Sequence, residues 1–194
     1  MGMSEDELLK KYNALYLEMI MRYREKIEEG EKLHLAELPK LVTPGDESVV
    51  AAVNKIKGEF PSYTYEKDFA EAAGKARALV NDTIIRVSPP IQFWLKPSEV
   101  LSIGAGDVFD QAVLLCSMLI SLGNPSAKVI ASANGEVKNY AVYYEHNGKT
   151  VAMEMGKNIS ELKDKNELLA KMEIYMGSES TGYEFNDKMY NNLA

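Results

Sequence analysis

The side chains able to do chemistry in this chain are few and far apart. Cys116 is the single cysteine, and His34 and His146 are the two histidines. The place best suited to activating a nucleophile is the bend Gly104-Ala105-Gly106-Asp107, which opens a long apolar run. A thiol on the first turn of a helix there would be held as thiolate by the positive end of the helix dipole, given a base nearby. The residue after the bend is Val108, which carries no nucleophilic atom. Cys116 falls more than two turns further on, where apolar surroundings would keep its thiol protonated. His34 sits in a connector between Lys32 and Leu35 and reads as a surface histidine. The histidines are too separated for a metal site and no calcium-loop spacing occurs, so neither metal nor cofactor is expected.

The element that must position this bend is a helix beginning at Val108. Asp107 is a good N-cap, and Asp110 in the first turn complements the dipole. Val108, Phe109, Ala112, Val113, Leu114, Leu115, Met118, Leu119 and Ile120 leave almost no polar face, as in a buried central helix. Leu122-Gly123-Asn124-Pro125 stops it.

Three strand candidates follow: 127–133, a stretch ending at 146 and starting near Lys138, and 149–155. Asn147-Gly148 between the last two is the strongest hairpin signal in the chain. A two-residue turn there sets His146 opposite Lys149, Tyr144 opposite Val151 and Ala141 opposite Glu154. Period-two alternation puts Asn139, Ala141, Tyr143 and Glu145 on one face with Thr150, Ala152 and Glu154. Tyr140, Val142 and Tyr144 share the other face with Val151, Met153 and Met155. Asn139 and Glu154 are then same-face diagonal neighbours, about 7–8 Å apart at the backbone.

The stretch Pro97-Ser98-Glu99-Val100-Leu101, Gly104-Ala105-Gly106-Asp107 and Leu122-Gly123-Asn124-Pro125 resembles, in order and spacing, the core motif of the transglutaminase-like family. That family's pattern is Pro-x-Glu-x-Leu, Gly-x-Gly-Asp-Cys and an apolar helix ending in Leu-Gly-x-Pro. The resemblance spans about 41–156 and implies a papain-like α+β core, with a buried central helix on a small antiparallel sheet, preceded by helices. It implies a nucleophilic cysteine where Val108 stands. By the same resemblance, Asn139 takes the position of the family's histidine and Glu154 that of its aspartate. Val108 cannot attack, and the Asn139 amide does not titrate near neutral pH. Glu154 would have no imidazole to orient. Trp94, Asp107, Ala141 and Tyr143 are the residues expected to line any cleft that survives.

The rest of the chain fits one domain over 31–194 with an N-terminal amphipathic helix over 1–30. Ser4-x-x-Glu7 is a capping box, and Gly30 a stop. Leu8, Tyr12, Leu15, Met19, Tyr23 and Ile27 form one stripe, widened by Leu9, Tyr16 and Ile20. At ~1.5 Å per residue this helix would be about 40 Å long. It either packs across its own domain or pairs with a partner or a second copy, although its heptads are too few to define a coiled coil. Further helices are expected from Thr43-Pro44-Gly45-Asp46 to Gly58, over 66–80 and over 165–175. Ile84–Val87 suits a short strand or the frayed end of the helix before it, Ser88-Pro89-Pro90 a rigid break with a trans Pro–Pro bond, and Tyr183–Asp187 an edge strand.

A hydrophobic content of 46% with 26% charged residues is ordinary for a soluble globular protein. No run approaches the ~20 apolar residues a membrane span needs. The acidic N-terminus is unlike a signal peptide, and Asp6 spoils a myristoylation signal. A single cysteine forms no internal disulfide. A net charge of −7 argues against nucleic acid as a partner. The expectation is therefore a cytoplasmic, catalytically inactive transglutaminase-like domain that binds a protein or peptide, with self-association through the N-terminal helix. The alternative is a cysteine-independent hydrolase or acyl transferase that draws on Glu154, Asp107, Tyr143 or His34.

Overall fold

The apolar run after the glycine bend folds as the central helix its composition demands. In the computed structural model, residues 5–29, 35–88, 94–134, 137–155, 159–174 and 181–193 are described. Ser4, Gly30, His34, Pro89, Pro90 and Gly135 lie outside them, as does the side chain of Ile27.

Ahead of the central helix come α1 (Glu5–Glu29), a 3-10 turn at Leu35–Leu41 that contains Pro39, α2 (Glu47–Lys57) and α3 (Tyr65–Thr83). Asp46 caps α2 by accepting the Ser48 N–H. Small residues on α3 (Ala72, Ala73, Ala76) are fully buried and let α3 come close to its neighbours. A two-residue strand β1 (Ile85–Arg86) runs parallel to β2 (Ala105–Gly106), with α4 (Pro97–Ile103) leading into β2. Gly104 ends α4 at φ +70°, a conformation that favours glycine. A Cβ there would also meet the Lys11 ammonium at 2.8 Å, because α1 lies over this bend.

The central helix, α5, spans Val108–Ser121. Every residue from Phe109 to Leu119 on it is buried. It ends at Leu122, and Gly123 takes φ +113° as the stop signal requires.

The sheet is larger than the expected three-strand meander. β3 (Lys128–Asn134), β4 (Val137–His146), β5 (Lys149–Glu154), β6 (Ile159–Leu162), β7 (Thr181–Phe185) and β8 (Tyr190–Asn192) form one six-stranded antiparallel sheet in the order β6-β5-β4-β3-β7-β8. The β4–β5 register matches the hairpin argument, with His146 opposite Lys149 and Ala141 opposite Glu154. The stretch around Tyr183 is not an edge strand: β7 sits between β3 and β8. After β6, α6 (Lys165–Lys171) carries the chain across the sheet to reach β7.

That crossover gives the sheet two covered faces. On one, Val129, Val142, Tyr144, Met153, Met155 and Phe185 share a core with α5, α3 and α2. On the other, Ile130, Ala141, Tyr143 and Ala152 pack against Leu168 and Met172 at α6. A buried Glu184 crosslinks this second layer. It accepts from the Tyr143 hydroxyl, from Lys165 at 2.9 Å and from Asn191 at 3.1 Å, with Lys128 at 3.5 Å. Burial pushes this carboxyl up. The bonds from Lys165, Tyr143 and Asn191 and the charge of Lys128 outweigh it and hold the group below its ordinary range.

Helix α1 divides its apolar residues between two faces. Leu15 and Met19 are buried against the rest of the chain, with Tyr12 packed beside them. Tyr23, expected in the inward stripe, is 49% exposed, and Leu9, Tyr16 and Ile20 are exposed as well. Arg22 fixes the helix in place by donating to the Trp94 carbonyl at 3.1 Å and pairing with Glu18 and Glu99. No helix among the described residues is long and apolar enough to cross a membrane.

Candidate functional site

The N-terminus of α5 is built as the sequence requires. The Asp107 carboxylate accepts the Asp110 N–H at 2.8 Å, and the Asp110 carboxylate accepts the Asp107 N–H at 3.0 Å. Asp110 does more than complement a dipole. It is 3% exposed, and its second oxygen accepts the Leu95 N–H at 2.9 Å, which ties the segment before α4 to α5. Burial raises the Asp110 carboxyl well above its ordinary range, and the neighbouring Asp107 raises it further. Burial raises Asp107 too, opposed by the N–H groups of Asp110 and Phe109 and by the charge of Lys138.

Val108 occupies the first position of this helix, half-buried and packed against the main core. Cys116 is fully buried, and burial pushes its thiol far above the range in which thiols ionise. His146 stands at the hairpin end, its ring 5.5 Å from that of Tyr65 and 5.1 Å from that of Phe69. Among the described residues no group of three His, Cys, Asp or Glu side chains could hold a metal ion.

The expected grouping of Val108, Asn139 and Glu154 is corrected by the fold. Asn139 and Glu154 belong to the face shared with Ala141, Tyr143 and Ala152, which packs toward α6, whereas α5 covers the opposite face. Glu154 accordingly pairs with Lys171 of α6 at 2.9 Å. Sheet register says which residues share a face; it does not say which face meets the helix. Ala141 and Tyr143, expected to line a cleft, are instead buried in the second core. On β4 the residue turned toward α5 is Tyr140, one position from Asn139.

A cleft does open beside the first turn of α5. It has a volume of about 310 Å³ and is walled by Trp94, Tyr140, Tyr183 and Leu35, with Ala131 and Ala133 beneath and Lys138 and Thr181 at its border. Phe109 lies between two of the walls, its ring 5.5 Å from Trp94 and 5.4 Å from Tyr140. The Tyr140 and Tyr183 hydroxyls hydrogen-bond each other. Burial drives the Tyr140 phenol far up, and burial also takes Tyr183 to about 12, so both hydroxyls stay protonated at physiological pH. Of the four residues expected to line a cleft, Trp94 does so, and Asp107 stands near it through Lys138 and Tyr140. Tyr140, Tyr183, Lys138 and Leu35 were missed. One sequence signal pointed to Tyr140: Tyr140-x-Val142-x-Tyr144 with Val151, Met153 and Met155 is the more apolar hairpin face, and so the natural cover for an apolar helix.

No family model matches the sequence, and no curated protein matches it. The likeness is structural. LapG of Legionella pneumophila superposes with a TM-score of 0.52 at 15% identity, over 84% of this chain and 88% of LapG. Its EGTA-treated form gives 0.51 at 15% identity, over 84% and 86%. This chain has a transglutaminase-like α+β fold. The groups proposed for a rearranged catalytic site do not converge within it. Asp107 lies on the α5 side of the sheet, Tyr143 and Glu154 lie on the α6 side, and His34 is outside the described residues.

Proposed function

We propose that this chain is a catalytically inactive transglutaminase-like domain that uses the cleft beside α5 to bind an extended peptide segment of a partner protein. The observation that carries the reading is that Val108 stands at the helix N-terminus while a cleft remains open where the next residue, Phe109, meets Trp94 and Tyr140. The position that would activate a thiol is apolar, and the only thiol is sealed inside α5. The walls suit peptide rather than a polar metabolite. Trp94, Tyr140 and Tyr183 supply flat apolar area at low entropic cost, and the small floor of Ala131 and Ala133 lets a backbone approach.

The alternative, a hydrolase or acyl transferase working without cysteine, has less support, because its candidate groups stand on opposite sides of the sheet.

Two measurements test the proposal. Native protein should resist iodoacetamide and show no peptidase or amine-incorporation activity; turnover abolished by Cys116→Ala would sink it. Panning a displayed random-peptide library should enrich sequences that bind the native chain and shift the emission of Trp94, its only tryptophan. Trp94→Ala and Tyr183→Ala should each weaken those peptides at least about tenfold, as aromatic anchors do. Peptides bound equally by all three proteins would place recognition elsewhere.

A further inference from the structure

Six of the large hydrophobic side chains exposed among the described residues lie on α1: Leu9, Tyr16, Leu17, Ile20, Met21 and Tyr23. Four of them, joined by the exposed Asn13, follow alternating spacings of four and three residues along Leu9, Asn13, Tyr16, Ile20 and Tyr23. That is the spacing of a coiled-coil seam. It is separate from the stripe of Leu15 and Met19 that holds α1 to the domain, and lies about a third of a turn around the helix from it at ~100° per residue. The domain therefore stands to one side of the seam and leaves room for a second helix.

We infer that two copies of this chain pair through α1, parallel and in register. In that arrangement Asn13 meets its counterpart at an inner layer of the seam. There it can hydrogen-bond across the axis, and it disfavours a shift by one heptad, which would set it against Ile20. Ile20 meets Ile20, and Leu9, Tyr16 and Tyr23 form the alternate layers. The flanks agree in charge and in polarity. Glu5, exposed in the first turn, comes opposite Lys10 of the second copy, also exposed, at the spacing that joins flanking positions of parallel strands. Leu17 comes opposite Tyr12 of the second copy in the same way, apolar against half-buried ring.

The area suits a reversible dimer. Leu9, Tyr16, Leu17, Ile20 and Tyr23 offer on the order of 500 Å² per copy, near the lower limit for a specific interface. A single partner helix with the same seam covers all five; the second copy is the partner whose spacing and flanking charges are known to match. The pairing does not depend on the cleft or on what the cleft binds.

The test is sedimentation equilibrium on the full chain across a concentration series. A reversible dimer is expected, and Ile20→Glu should raise its dissociation constant at least about tenfold while leaving the circular dichroism unchanged. Asn13→Val should tighten assembly, because a buried polar layer costs stability; a variant that folds and yet assembles less would overturn the seam. Leu9→Cys under mild oxidation should give a disulfide-linked dimer, with wild type, whose Cys116 is buried, giving none. An antiparallel pair would set Leu9 roughly 16 Å from its counterpart and yield no such bond, so failure to crosslink in a dimeric variant would overturn the parallel arrangement. Wild-type chain that stays monomeric up to about 0.1 mM would overturn the pairing altogether.

Discussion

Replacing Asp110 should reveal how the first turn of α5 is held together. Its carboxylate accepts two backbone N–H groups, from Leu95 at 2.9 Å and from Asp107 at 3.0 Å, and the residue is 3% exposed. Asp110→Ala leaves the Leu95 donor buried with no acceptor and removes half of the reciprocal cap. An unsatisfied buried donor costs roughly 1–3 kcal/mol and a lost charged acceptor a similar amount, so the total should be about 3–5 kcal/mol. With an m-value of about 2–3 kcal/mol/M in urea, the unfolding midpoint should fall by about 1–2 M. Asp110→Asn should cost less, since its amide oxygen can still accept one N–H. The gap between wild type and Asp110→Asn should also depend on pH. The folded carboxyl titrates well above the unfolded one, so the folded state binds the proton more tightly. Wild-type stability relative to Asn must then decline as pH rises from the unfolded value through the folded one. Urea titrations of the three proteins at pH 5 and pH 8 measure both effects. A midpoint shift below about 0.3 M for Asp110→Ala would refute the anchoring role, and a wild-type-to-Asn gap independent of pH would refute the raised carboxyl.

Glu184→Gln should destabilise by roughly 3–5 kcal/mol in urea titrations at pH 7, because it leaves the ammonium groups of Lys165 and Lys128 without their buried counter-charge. Since the folded Glu184 carboxyl titrates below its unfolded value, that contribution is present above the unfolded value and disappears as pH falls through the folded one. The mutant and wild-type curves should converge in acid. Gly182→Ala should lower the melting temperature through overpacking of about 1–3 kcal/mol. Its Cβ would meet the Ile174 side chain at 2.8–3.0 Å, and an unchanged melting temperature would show that Ile174 can yield.

What the sequence disclosed well was local. Asp107, Gly104, Gly123 and Asn147-Gly148 each dictate a cap, a bend, a stop or a turn within a few residues, so α5 and the β4–β5 register could be read directly. What it hid was set by distant partners. Asn139 and Glu154 were paired correctly as neighbours, but the choice of face belonged to α5 and α6, which the hairpin alone does not contain. β6 went unread because Ile159-Ser160-Glu161-Leu162 buries only Leu162 fully. β7 looked like an edge because its two neighbours, β3 and β8, are found only in three dimensions. Asp110 read only as a complement to the helix dipole, since its burial depends on Leu95 folding back over it.

The place of β7 between β3 and β8 also bears on how the chain reaches its fold. β3 pairs early with β4, its neighbour in sequence, but its other edge waits for β7, which follows β4, β5, β6 and α6. Until β7 arrives, the N–H and C=O groups along that side of β3 are open to any other extended strand, and closing so long a loop is slow. The same late strand brings Tyr183 to the cleft and Glu184 to the second layer, so neither exists in a chain emerging from the ribosome until β7 has docked. Folding intermediates of this protein should therefore be aggregation-prone at β3 and unable to bind at the cleft.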